Sequence, residues 1–343
     1  MRRLVVLSLA ATLLGIAGAA ADGKPPIRGL VSMGAYRFVA AGGEPVNNLR
    51  PLLAKPGIFG GIVIVASWRQ LQPTAGAALA DDTAIDEALR DVQAYNVSNP
   101  QRPLAVKLRV WGGFMAPPWA MSLGGLPIAV THQGKSRLLG RFWTEEYRHA
   151  WADFQEMLAA RYDEEPLIRE VSVTSCMTVT AEPFFLPTED TVQAPLRGTG
   201  LTDAAYRACL SDAVADYAPW QTTRIVLSVN PFRAAAGPAA SDPAFTEAVM
   251  AACRQSIGAR CVLDNHDLDA APPAAILPIY AAMQRLGPAI EFQTFRETPD
   301  DFEGTIRKGI ALGASAIELW QDFQGFPLVA DETLKAWAAL FPQ

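Results

Sequence analysis

Several common chemistries have no footing in this sequence. Its four cysteines and three histidines form no Cys-x-x-Cys pair and no cysteine–histidine spacing of a zinc site, which excludes a zinc module of the usual pattern. No Gly-x-Ser-x-Gly turn presents a serine nucleophile. No glycine-rich phosphate loop follows the first strand-like run. Basic blocks are missing too: the net charge is −6, so nothing supports binding to nucleic acid. Beyond the N-terminus, no uninterrupted apolar run approaches the ~18 residues of a membrane span. No internal repeat with a period of about 20–50 residues is present.

What is there begins with the N-terminus. Arg2 and Arg3 precede an apolar stretch over 4–17, and Ala19-Ala20-Ala21 offers a small-residue cleavage site before Asp22. This pattern predicts a signal peptide over 1–21 and an exported mature chain over 22–343, secreted or periplasmic. An uncleaved anchor is the alternative. The remaining length of about 320 residues bounds the chain to one large domain or two modest ones. With 50% hydrophobic and 19% charged residues, it can fill a large core and does not read as disordered. Export permits disulfides. Cys253 falls on an expected helix and Cys261 at the start of the next strand, so these are the easiest to join, leaving Cys176 with Cys209. Four buried thiols are the alternative. The sequon Asn96-Val97-Ser98 matters only in a host that glycosylates asparagine.

Strand-like runs lie at 27–36, 60–68, 104–111, 169–178, 223–231, 261–267, 289–296 and 315–321. Helical patterns fill most gaps, over 83–95, 144–162, 202–217, 242–257, 274–286, 300–312 and 331–340, several opening on Asp or Thr as N-cap. The first gap, 40–56, is too rich in Gly, Pro and Asn for a long helix. Strands alternating with helices and no linker predict a single-domain (β/α)8 barrel of the α/β class. A doubly wound open sheet is the alternative. Long loops are expected after the third strand (114–142) and the fourth (182–200), on the face where barrel active sites are built.

Strand side chains alternate between faces. In the third run Leu104, Val106, Leu108 and Val110 take one face, while Ala105, Lys107, Arg109 and Trp111 take the other. Ile290 and Phe292 likewise stand opposite Glu291 and Gln293, and Ile317 and Leu319 opposite Glu318 and Trp320. With helices covering the apolar faces, the barrel interior collects Lys107, Arg109, Trp111, Ser172, Thr174, Cys176, Ser228, Asn230, Asp264, His266, Glu291, Gln293, Glu318 and Trp320. Such a polar interior is costly unless its groups are paired.

Carboxylates facing across a cleft are what glycoside hydrolysis needs, one protonated to release the leaving oxygen and one ionised as nucleophile or base. Glu182, just past the fourth strand, joins Glu291 and Glu318 as candidates. Trp68, Trp111, Trp119, Trp320 and Phe184 fall near C-terminal strand ends and could stack on sugar faces. The competing reading is that Lys107 and Arg109 merely neutralise Glu291 and Glu318 in a structural network. Because a cation lowers a neighbouring carboxylate's pKa, it suits a nucleophile and not an acid.

The segment Trp68-Arg69-Gln70-Leu71-Gln72-Pro73-Thr74-Ala75-Gly76 resembles the W-x-x-L-x-P-x-x-G turn of barrel glycosidases in the clan of cellulases and β-galactosidases. The resemblance implies an acid/base Glu at the end of strand 4, matched by Glu182 in Thr180-Ala181-Glu182-Pro183, where Ala181 replaces the usual Asn. It implies a nucleophile near the end of strand 7, for which Glu291 stands early in the strand, with Glu318 as the substitute. Glu318-Leu319-Trp320 resembles the strand-8 end, where a Trp floors the sugar site.

A divalent metal on Asp264, Glu291 and Glu318 is the rival chemistry. Lys107 and Arg109 in the same cavity disfavour it, so neither metal nor cofactor is expected. The sequence thus reads as an exported, monomeric, retaining glycoside hydrolase-like barrel with a carbohydrate substrate and no nucleic-acid or membrane partner. In it Trp111 and Trp320 would platform the sugar, and Asn230, His266 and Gln293 would hold its hydroxyls. The alternative from another class is a barrel that binds carbohydrate without cleaving it.

Overall fold

The computed structural model describes residues 23–33, 36–38, 43–234, 241–296, 299–320 and 329–341. The expected signal over 1–21 lies outside them. Eight parallel strands close into a barrel: β1 Gly29–Ser32, β2 Gly61–Ser67, β3 Ala105–Trp111, β4 Ile168–Ser172, β5 Arg224–Ser228, β6 Cys261–Leu268, β7 Ile290–Thr294 and β8 Ala314–Leu319. Each pairs with its sequence neighbours, and β1 closes the ring against β8. This is the (β/α)8 architecture that the alternation of strand and helix patterns predicts.

Local chemistry starts the helices where expected. Thr83 caps Ala84–Ser98, its side chain accepting from the Ile85 and Asp86 N–H groups while Asp86 accepts from the Thr83 N–H. That reciprocal box satisfies donors a helix start leaves open. Asp242 caps Pro243–Ile257, with proline at the first helical position, where its missing N–H costs nothing. The weak joint of the barrel is between β1 and β2, which share two register pairs. Farther along β2, the Asn47 side chain exchanges two hydrogen bonds of 2.9 Å with the Val65 backbone.

Two loops depart from the strand-and-helix expectation. The run at 169–178 is strand only to Ser172. Cys176 takes a left-handed φ of 63° and bonds to Cys209 on the helix Asp203–Asp212, so it does not line the barrel interior. The second bridge joins Cys253 to Cys261. The stretch 114–142 carries an antiparallel hairpin, Ile128–His132 with Lys135–Leu139. The stretch 182–200 carries the helix Asp190–Gly198. Hairpin and helix are joined: the Thr191 hydroxyl donates to the Thr131 carbonyl at 2.6 Å, and His132 Nδ1 lies 2.9 Å from Glu189 Oε2.

The Trp68–Gly76 turn proves to be a packing device. Ser67 caps the short helix Trp68–Leu71. Trp68 is fully buried, edge-on to Trp119, Tyr147 and Trp151 and stacked on Phe154, with its indole N–H on Gln72. Phe184 is buried as well. Neither ring can floor a sugar site.

Candidate active site

The barrel interior holds two polar tiers. The lower one centres on Lys107 of β3, fully buried, whose ammonium lies 2.5 Å from Glu291 Oε2, 2.7 Å from Glu318 Oε1 and 3.6 Å from Glu170 Oε2. Arg109, one pleat higher, donates through Nη2 to both oxygens of Glu318 at 2.9 Å. Glu170 accepts the Ile27 N–H through its other oxygen. Glu170 belongs to the inner face of β4 by the same alternation that picks out Ser172. The run at 169–178 already contains it, and alternation followed one step back from Ser172 would have found it.

Electrostatics in this tier follows the cations. Burial pushes Lys107 toward neutrality, but Glu291, Glu318 and Glu170 outweigh it and hold the ammonium well above its ordinary value. Burial and repulsion from Glu170 drive Glu291 well up despite Lys107. For Glu318, burial raises and Arg109 and Lys107 lower, and the cations win. Neither Glu291 nor Glu318 has exposed side-chain area. The Lys107 ammonium stands between them where a divalent cation would have to sit. Among the described residues no cluster of acidic, histidine or cysteine side chains is arranged to hold a metal.

The upper tier opens at the C-terminal ends of the strands. Glu182 is 17% exposed, and its Oε2 accepts from Asn230 Nδ2 at 2.9 Å, just beyond β5. Its Oε1 lies 3.5 Å from His266 Nδ1. The other ring nitrogen of His266 is 2.9 Å from Asp264 Oδ2, which also accepts the Ser228 hydroxyl at 2.6 Å. Burial alone would strip the imidazole of its proton, but Asp264 and then Glu182 carry its pKa up to about 10. His266 is therefore an imidazolium between two carboxylates. Burial raises Glu182, yet His266, Asn230 and Arg109 together bring it below the ordinary value. Asp264 is lowered by the same imidazolium against its burial. The acid role expected of Glu182 thus meets an environment that keeps it ionised in the resting site.

The remaining expected residues surround this tier. Gln293 is buried, and its Oε1 has no hydrogen-bond partner among the described residues. Trp320 is 38% exposed, its backbone N–H on the Thr294 hydroxyl, and Phe295 is 42% exposed just past β7. Trp111 is buried edge-on to Phe114. The structure therefore brings Glu182, Asn230, His266 and Asp264 into one chain of hydrogen bonds and an ion pair, and sets Glu291 and Glu318 below it with Lys107 and Arg109.

No protein-family model matches the chain, and no curated protein matches it in sequence. Solved structures do match in fold. Endo-glycoceramidase II from Rhodococcus sp., in its cellobiose-like imidazole complex, superposes with a TM-score of 0.54 at 15% identity, over 92% of this chain and 79% of that one. Its cellobiose-like isofagomine complex gives 0.52 at 16% identity, over 92% and 80%. The apo structure of a beta-glucosidase, 1317, gives 0.50 at 12% identity, over 92% and 97%. At such identities the likeness is one of fold alone: the chain folds as the (β/α)8 barrel that these structures share.

Proposed function

We propose that this chain is an exported glycoside hydrolase that binds a carbohydrate across the C-terminal mouth of the barrel and cleaves a glycosidic bond there. One observation carries the reading. Glu182 is a mouth carboxylate held ionised between the Asn230 amide and the His266 imidazolium, with exposed aromatic rings at the ends of β7 and β8. An ionised carboxylate that carries charge-stabilising donors is equipped to attack or stabilise an electron-poor anomeric carbon. Trp320 and Phe295 supply faces for the apolar side of a sugar ring, with Trp111 behind them. Gln293 Oε1 is an acceptor ready for a hydroxyl donor, and Asn230 and His266 border the same space. Glu318 and Glu291, with Lys107 and Arg109, form the charged floor beneath. The Rhodococcus structures hold cellobiose-like molecules, and a β-linked glucoside is accordingly the first substrate to offer.

The test is hydrolysis of aryl glycosides and polysaccharides by the mature chain and by Glu182→Gln. Turnover that falls at least ~100-fold in the variant, with circular dichroism unchanged, supports the reading; a catalytic carboxyl contributes about that much or more. Saturable glycan binding by both proteins without turnover assigns a non-catalytic carbohydrate-binding barrel instead. No binding and no turnover with any glycan defeats both.

A further inference from the structure

The site so far lacks a proton donor, since Glu182 and His266 are tied to each other and the lower carboxylates are enclosed. The register of β6 against β7 supplies one. Asn265 pairs with Phe292 and Leu268 with Thr294, so three steps along β6 match two along β7. His266 and Asp267 together oppose Gln293. A bulge of this kind places two consecutive residues where alternation allows one, and re-aims a side chain. Its outer boundary is visible in Leu268, which is fully buried and packs outward: a Cβ on Gly309, in the helix Phe302–Ala311, would lie 2.9 Å from Leu268 Cδ2. The residue before Leu268, Asp267, thus shares the bulge with His266.

We propose that the bulge delivers Asp267 as the acid of the reaction, paired with Glu182 as nucleophile; this rests on the glycoside hydrolase reading above. The Asp267 proton passes to the glycosidic oxygen as the bond from that oxygen to the anomeric carbon breaks, and a Glu182 oxygen bonds to the anomeric carbon. Water then attacks that carbon, giving one proton back to Asp267 and its hydroxyl to the sugar, and Glu182 leaves as carboxylate.

The surroundings of Asp267 agree. Its backbone is pinned, the N–H on Asn265 Oδ1 at 2.9 Å and the carbonyl accepting the Tyr280 hydroxyl at 3.0 Å. Its carboxyl has no hydrogen-bond or ion-pair partner among the described residues and is half-buried. The titratable and charged groups facing it are Glu182 past β4, Arg233 past β5, Tyr280 on the helix Leu277–Arg285 and its neighbour His266. Burial, then Glu182, push it up to about 6, against His266 and Arg233. Two carboxyls whose environments drive their pKa values apart are suited to opposite roles.

The experiment compares Asp267→Asn with the unaltered chain on aryl β-glycosides of graded leaving-group acidity. A lost acid should lower kcat/KM at least ~100-fold for phenyl and methylphenyl glycosides. For the 2,4-dinitrophenyl glycoside, which departs without protonation, the fall should stay under ~10-fold. The falling limb of the unaltered chain's kcat/KM profile, near the Asp267 value of about 6, should vanish in the variant. If Asp267→Asn does not fold by circular dichroism, Asp267→Ser takes its place. Turnover with an inactive Glu182→Gln but an Asp267 variant that loses activity evenly across leaving groups, or not at all, overturns this proposal alone. No turnover of any glycoside by the unaltered chain overturns it together with the reading beneath it.

Discussion

Replacing Lys107 by methionine removes the one ammonium that faces Glu291, Glu318 and Glu170 in a fully enclosed space. Removing one partner of a buried ion pair costs ~3–5 kcal/mol, because the other charge stays behind without compensation. Arg109 still holds both oxygens of Glu318, and Glu291 can shed its charge by taking a proton, so the lower end, about 3 kcal/mol at pH 8, is expected. At about 1.5 °C per kcal/mol, from an unfolding entropy of ~2.1 cal/mol/K per residue over roughly 320 residues, Tm should fall by about 4–5 °C. The sign with pH follows from the carboxyls. Glu291 already sits above its ordinary 4.5; loss of Lys107 raises it further and takes away one of the two cations that hold Glu318 down. The folded variant then binds more protons than the unfolded chain, so its stability falls as pH rises above about 4.5 and recovers on acidification. Urea titrations and thermal scans followed by circular dichroism at pH 8 and pH 5 measure both effects. A loss under ~1 kcal/mol at pH 8, or one as large at pH 5, would refute the account of the lower tier. Lys107→Met/Glu291→Gln should regain part of the loss, since the orphaned charge goes with its partner.

Two further outcomes are expected. The His266 ring should keep both protons at pH 8 in nitrogen-resolved NMR, with its contribution to stability complete below 6.5 and lost as pH rises toward 10; a ring titrating near 6.5 would show that it is not clasped by Asp264 and Glu182. The two bridges should differ in worth, since closing a longer loop removes more unfolded-state entropy. Serine pairs should cost about 3–4 kcal/mol for Cys176 and Cys209, 33 residues apart, against about 2.5 for Cys253 and Cys261, 8 apart, in urea unfolding. The reverse order would count against a loop-closure origin.

How far the chain could be read before folding depended on the range of the interaction concerned. Period-two alternation in 104–111, 289–296 and 315–321 placed Lys107, Arg109, Glu291 and Glu318 on one face, because the pleat is a local property of the backbone. Caps such as Thr83 and Asp242 marked helix starts for the same reason. The eight strand-like runs and their helices were enough for a barrel, since few other layers accept strands with one apolar face and helices between them. What escaped were matters settled between distant segments. That Lys107 would bridge carboxylates from β4, β7 and β8 depends on the closure of the ring and its stagger. The same holds for His266, whose proton is fixed by Asp264 on its own strand and Glu182 beyond another. The aromatic Trp68 turned inward because the helix Glu145–Tyr162 brings Tyr147, Trp151 and Phe154 against it. Alternation also failed at Asp267, where it assigns the residue to the outer face. A bulge is a disagreement in count between two paired strands, and a single strand's sequence carries no record of its partner's count. Local periodicity therefore determined which residues could meet inside this barrel. Register, closure and long-range charge pairing decided which of them are locked beneath the site and which are left to act at its mouth.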